Sequence, residues 1–125
     1  MIARRRAIRD SYRELLADLA GVTVTADPPW GTGNAWLTTV TFEAPLPPGT
    51  AERVRLALAA QRIESRPIWK PMHQQPVFQR HESHVTGVAD RVFEQGLCLP
   101  SGVGLTDDDI SRVAAAVRAE LGQPD

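Results

Sequence analysis

The strongest constraint on the fold is an irregular alternation of short apolar strands with amphipathic helices along 125 residues. Ile8, Tyr12, Leu15, Leu16 and Leu19 recur at helical spacing and predict a helix over 2–20, with Gly21 as its C-cap. No capping residue precedes this helix, as expected of a helix entered in its middle in a truncated chain. Val22–Thr25 alternates and predicts a short strand. Residues 27–33 are turn chemistry. Residues 35–43 make the best strand, with Trp36, Thr38, Val40 and Phe42 lining one face. After a rigid Pro45–Gly49 connector, Thr50 caps a helix through Gln61 with Val54, Ala57 and Leu58 inward. Ile63–Arg66 reads as a short strand whose pairing Pro67 ends. A helix over 87–95, with Val88 and Val92 four apart, stops at Gly96. Leu97-Cys98-Leu99 is a buried strand ended by Pro100. Thr106 and Asp109 form a capping box that opens the clearest helix, with Ile110, Val113, Ala114, Val117 and Leu121 as its stripe. This order predicts one α+β domain: a small, mostly antiparallel sheet with helices packed on one face, an α/β sandwich.

Charge and composition exclude several classes. Fourteen basic against fifteen acidic residues leave a net charge of −1, so neither nucleic acid nor an anionic membrane is called for. The Arg4-Arg5-Arg6 cluster with Arg9 reads as a solvated helix face. A single cysteine cannot form an internal disulfide and is consistent with a reducing cytoplasm. No run approaches the roughly 18 apolar residues of a membrane span, and no apolar segment follows the N-terminal arginines as in a signal peptide.

The chemistry is concentrated in Arg66-Pro67-Ile68-Trp69-Lys70-Pro71-Met72-His73-Gln74-Gln75-Pro76-Val77-Phe78. Its prolines stiffen the backbone, Trp69 and Phe78 need packing partners, and Arg66, Lys70 and His73 add cationic or switchable groups. Such a loop suits contact with an anion or a sugar phosphate; it equally suits a surface loop with its aromatics tucked into the core. His81-x-x-His84, with distant His73 and Cys98, lacks the repeated spacing of a zinc site, so no metal is expected. Cys98 in an apolar run reads as an inert buried thiol. Asp107-Asp108-Asp109 reads as a helix start. Lys70 is the only lysine, and its position on an exposed loop argues against a Schiff-base role. No catalytic residue is expected.

The segment Ile63–Phe78, with its Trp-Lys-Pro-Met-His run, resembles the C-terminal region of DegT/StrS-type nucleotide-sugar aminotransferases, in the branch acting on 4-keto-6-deoxy sugars. Arg5-Arg6 with Tyr12 is similar to that family's helix leading into the small domain. Asn34-Ala35-Trp36-Leu37 is similar to its Asn-x-Trp-Leu strand start. Ala89 with Gly96–Gly102 resembles its "sLPsg" strand and turn, and the Thr106–Leu121 helix its last helix. The resemblance covers nearly the whole chain.

What the resemblance implies is the C-terminal small domain of a fold-type I enzyme, a homodimer in full, using pyridoxal 5'-phosphate and glutamate to aminate a nucleotide-linked keto-sugar for polysaccharide or glycan precursors. The large N-terminal domain, absent from this chain, would hold the Schiff-base lysine, so the chain alone is expected to bind no cofactor. His73 matches the family histidine near the substrate. Trp69, Lys70 and Met72 match the loop around it, and Asn34 and Trp36 match a strand facing the active-site region. Arg66 is a further candidate for an anionic group. These are substrate-binding roles. The same scaffold serves pyridoxamine-phosphate sugar dehydrases, and a free-standing interaction module is a third reading. If this is one part of a larger enzyme, Trp30, Trp36, Trp69 and Phe78 should leave an exposed apolar patch, covered by self-association when the chain is isolated.

Overall fold

The computed structural model describes residues 1–122. Its elements are α1 (Ile2–Leu15), β1 (Val22–Val24), β2 (Thr38–Phe42), α2 (Thr50–Ala60), β3 (Arg66–Pro67), a single 3₁₀ turn (Met72–Gln74), α3 (Val88–Gln95), β4 (Gly96–Leu99) and α4 (Asp107–Glu120). The four strands form one sheet in the order β1-β2-β4-β3, every pair antiparallel. The α+β class expected from the sequence is the one observed.

Alternation sets the two faces of the sheet. Along β2, Thr38, Val40 and Phe42 are buried while Thr39 and Thr41 are half-buried. In register, Thr38 stands opposite Leu99 and Val40 opposite Leu97, which places Leu97 and Leu99 on the same face. Against that face pack Ile8, Tyr12 and Leu16 from α1 and the turn after it. Val54 and Leu58 from α2, and Ile110, Val113 and Val117 from α4, complete the layer. Each such side chain contributes on the order of 1.5–3 kcal/mol by leaving water. The capping box is complete: Thr106 Oγ1 accepts from the Asp109 amide at 3.1 Å, and Asp109 Oδ2 accepts from the Thr106 amide at 2.8 Å.

Several boundaries differ from expectation, each for a local reason. α1 ends at Leu15, and the chain turns until Gly21, whose φ of 80° is left-handed. A Cβ there would lie 2.3 Å from the Glu43 carbonyl oxygen, so the turn requires glycine. Leu15, placed on the inner stripe from the sequence, is exposed. β2 begins at Thr38 rather than residue 35, because Ala35 turns left-handed at φ 49° and takes Trp36 out of the sheet. Gly49, not Thr50, is the N-cap of α2; Thr50 instead donates to the Pro47 carbonyl at 2.6 Å. Arg62 at φ 59° turns Ile63 into the core, so pairing of the third strand starts only at Arg66. Pairing does end at Pro67, which is itself the last paired residue, opposite Leu97, on an edge strand where a missing amide is tolerated. Val88 is exposed, and α3 contributes no fully buried residue. Among the described residues no helix is long and apolar enough to cross a membrane.

Candidate functional site

The face of the sheet away from the core carries small polar side chains. Thr25 and Thr39 share a hydroxyl hydrogen bond of 2.7 Å. They line a shallow depression with Asn34, Trp36 and Trp69. The two indoles meet with centroids 5.8 Å apart and planes tilted by 35°, a favourable offset arrangement. Both remain open to solvent, Trp36 at 57% and Trp69 at 67% exposure. Trp30 is exposed as well, whereas Phe78 is half-buried and faces His81. Three of the four rings expected in an apolar patch are thus solvent-facing.

The segment that presents Trp36 is braced rather than loose. Asn34 Oδ1 accepts from the Trp36 amide at 3.0 Å, an Asx turn that orders the backbone from which the indole projects. The Trp36 carbonyl accepts from Arg5 at 3.4 Å and from the Ser101 hydroxyl at 3.2 Å. Arg6 donates to the Gly33 carbonyl at 2.8 Å. Asp27 accepts from Arg9 at 2.7 Å and from the Gly33 amide at 3.0 Å. The Arg9 guanidinium, with the Gly33 amide, holds the Asp27 carboxyl below the usual carboxylate range. The arginine cluster of α1 is therefore not a solvated face. Its side chains reach partners 18 to 103 residues away, and Arg4 joins the Leu105 carbonyl and Asp107. Charge on a helix carries no signal of such distant acceptors.

The second half of the site is the segment between β3 and α3. Ile68 anchors it by packing over Gly96, where any Cβ would meet Ile68 Cδ1 at 2.2 Å. The 3₁₀ turn places His73 and Gln74 side by side. His73 Nε2 lies 2.7 Å from Asp90 Oδ1 on α3, and the Gln74 side-chain amide donates to the same oxygen. The Gln74 amide, with His73 beside it, holds the Asp90 carboxyl below its ordinary value. Met72 is exposed, and its sulfur lies 3.8 Å from Gln75 Nε2. Gln75 also donates to the Lys70 carbonyl at 3.0 Å.

The structure thus brings Asn34, Trp36 and Trp69 together and places Lys70, Met72 and His73 along the adjoining loop. Arg66 stands apart on the edge strand, its guanidinium 2.6 Å and 2.9 Å from Glu64. Asp90, Gln74, Asp27 and Ser101 were not foreseen as partners of the site. Gln74 lies within the Ile63–Phe78 segment and Ser101 within the Gly96–Gly102 segment that carry the resemblance, but neither was assigned a role. Burial pushes the Cys98 thiol up, so it is a poor nucleophile at neutral pH.

The residues present do not fit a Schiff-base cofactor site. Lys70 is the sole lysine and is exposed, whereas a reactive lysine needs burial or a cation beside it.

The chain belongs to the DegT/DnrJ/EryC1/StrS aminotransferase family, whose model matches residues 1–118. This is a family of pyridoxal phosphate-dependent sugar aminotransferases. The chain is 39% identical over 118 residues to EpsN of Bacillus subtilis, whose name places it among pyridoxal phosphate-dependent aminotransferases; the match covers 90% of this chain and 29% of EpsN. It is 36% identical over 118 residues to the GDP-perosamine synthase of Caulobacter vibrioides, covering 93% of this chain and 31% of that protein. Among solved structures it superposes on DesV of S. venezuelae, determined with a ketimine intermediate, with a TM-score of 0.82 and 27% identity over 99% of this chain and 33% of that one. It also superposes on the aminotransferase TlmJ of Streptoalloteichus hindustanus, with a TM-score of 0.78 and 29% identity over 97% of this chain and 32% of that one. The fold is that found in fold-type I sugar aminotransferases, and the chain spans about a third of the length of these relatives.

Proposed function

We propose that this chain is the C-terminal small domain of a cytoplasmic, homodimeric sugar aminotransferase that uses pyridoxal phosphate. The full enzyme would move an amino group from glutamate to a nucleotide-linked keto-sugar destined for polysaccharide or glycan precursors. The observation that carries this reading is the exposed Trp36–Trp69 pair on a chain that spans a third of its relatives. A protein seldom leaves paired, solvent-facing indoles without something to cover them. The large domain and the substrate would do so. In this reading Asn34, Trp36, Trp69, Met72 and His73 wall one side of the substrate pocket, and the cofactor's lysine lies in the part of the enzyme outside this chain. Lys70 would supply positive charge towards the nucleotide's phosphates, whereas Arg66, paired with Glu64 on the edge strand, stands outside this wall. The cofactor, once bound there, supplies the amino-carrying group; this chain binds and orients.

Two measurements test the proposal. Mixing the chain with pyridoxal phosphate, reducing with borohydride and mapping peptides by mass should give no adduct beyond that on the Met1 amine. Efficient, saturable labelling of Lys70 would overturn it. Grafting residues 1–118 in place of the matched segment of the Caulobacter vibrioides GDP-perosamine synthase should restore formation of GDP-perosamine relative to that enzyme truncated before the segment. A folded, dimeric graft that binds the cofactor yet gains no activity over the truncation would refute the pocket-wall role.

A further inference from the structure

We propose that Asp90 is a positioning residue for His73: it keeps the ring proton on Nε2 and so leaves Nδ1 as an acceptor for a hydroxyl or amine donor of the ligand. The inference rests on the pocket-wall reading for the identity of that ligand, a sugar hydroxyl or amine, but its physical basis is separate.

The tautomer follows from the partners. Asp90 Oδ1 lies 2.7 Å from His73 Nε2 and also accepts from the Gln74 amide. An ionised carboxylate only accepts, so the hydrogen bond to Nε2 requires the proton to be there. Asp90 stands in the first turn of α3, where the helix dipole favours a negative charge, and its carboxyl is held low by Gln74 and His73. A neutral imidazole has one N–H, so fixing it on Nε2 makes Nδ1 an acceptor. Among the described residues Nδ1 has no hydrogen-bond partner.

The arrangement is sheltered enough to matter. The side chains of His73 and Asp90 are 23% and 26% exposed, so the pair is partly sheltered from the solvent that weakens fully exposed pairs. His73 lines an open cleft of about 420 Å³ with Pro71, Met72, Phe78, His81 and Val85. Asp90 comes from a different element and is not among the residues lining that cleft, so it acts by orienting His73 rather than by touching a ligand. This has the form of a histidine whose working nitrogen is set by the hydrogen bond its other nitrogen makes.

The test is long-range ¹⁵N–¹H correlation spectroscopy of the histidine rings in this chain, at a pH where imidazoles are neutral. A His73→Gln spectrum assigns the His73 signals. In the wild-type chain the ratio of Nε2–H to Nδ1–H tautomer at His73 should exceed that at exposed His81 and His84 by about tenfold or more, as a hydrogen bond to a charged group implies. Asp90→Ala should bring His73 to the ratio of the other two, and Asp90→Asn, which keeps an acceptor oxygen, should restore part of the difference. Circular dichroism of both variants checks that the helices persist. A wild-type ratio equal to that of His81 and His84, which needs no variant to be folded, would overturn the proposal. So would an unchanged ratio in a folded Asp90→Ala. No cofactor or substrate enters this measurement, so its failure is distinguishable from failure of the borohydride or grafting experiments.

Discussion

The two faces of the sheet are built by different means. On one, Val40, Phe42, Leu97 and Leu99 are sealed under three helices by apolar packing. On the other, Trp36 and Trp69 are held in place while remaining open to solvent, and what holds their surroundings is hydrogen bonding: Arg5, Ser101 and Asn34 around Trp36, and Gln75 on the carbonyl beside Trp69. Packing stabilises whatever it covers. Hydrogen bonds to carbonyls and carboxylates fix direction while leaving side chains free for something else. The contrast separates residues that make the fold from residues that the fold presents.

The largest effect expected is on the packed face. Leu58 is fully buried within the α2 stripe. Leu58→Ala should cost about 2–5 kcal/mol in urea unfolding, from lost burial plus the cavity left behind. A loss below about 1 kcal/mol would mean that α2 does not seal the core as described. Tyr12 comes next, because its ring is buried in the core while its hydroxyl donates to the Pro100 carbonyl at 3.0 Å. Tyr12→Phe keeps the packing and removes the one bond, at about 1–2 kcal/mol. That bond ties α1 to the turn after β4, so an unchanged midpoint would show that packing alone holds the two together.

Thr106→Ala should cost about 1 kcal/mol, the usual value of a lost N-cap. This effect has a pH signature. The Thr106 hydroxyl and amide hold the Asp109 carboxyl below its ordinary value, so the folded state favours the ionised form. The contribution is fully present above the unfolded carboxyl pKa of about 3.9 and is lost as pH falls through the lower folded value. The difference between wild type and Thr106→Ala, followed by melting temperature, should therefore shrink in acid. A constant difference down to pH 2 would leave the acid half of the box without a role.

The packed face was legible in the sequence because it is periodic. Ile110, Val113, Ala114 and Val117 mark α4 at helical spacing, the Thr106–Asp109 pair marks its start, and the alternation Thr38-Val40-Phe42 marks β2. The presenting face was legible only in part. The Trp69–His73 loop was read from its composition and from family resemblance, but nothing periodic ties His73 to Asp90, 17 residues on. Trp36 was assigned to a strand because it continues the apolar alternation. Alternation cannot show that Ala35 turns left-handed before it, nor that the Asn34 side chain caps the Trp36 amide. The arginines of α1 were taken as solvated because charge on a helix usually is, and their acceptors lie in distant loops.

The smallest stability effect belongs to the presenting face and tests the comparison most directly. Trp69 is 67% exposed and touches the fold mainly through the Trp36 ring. Trp69→Ala should therefore cost less than about 1 kcal/mol, within what an aromatic pair contributes, although it deletes a larger side chain than Leu58→Ala does. Trp36 should keep its place without its neighbour, because Arg5 and Ser101 hold its carbonyl and Asn34 its amide. Near-ultraviolet circular dichroism should lose the signature of the coupled indoles while far-ultraviolet signal and unfolding midpoint barely move. If Trp69→Ala instead destabilised the chain as much as Leu58→Ala, the loop would be part of the core, the two faces would not differ in kind, and the exposed indoles would no longer argue for a surface made to be covered.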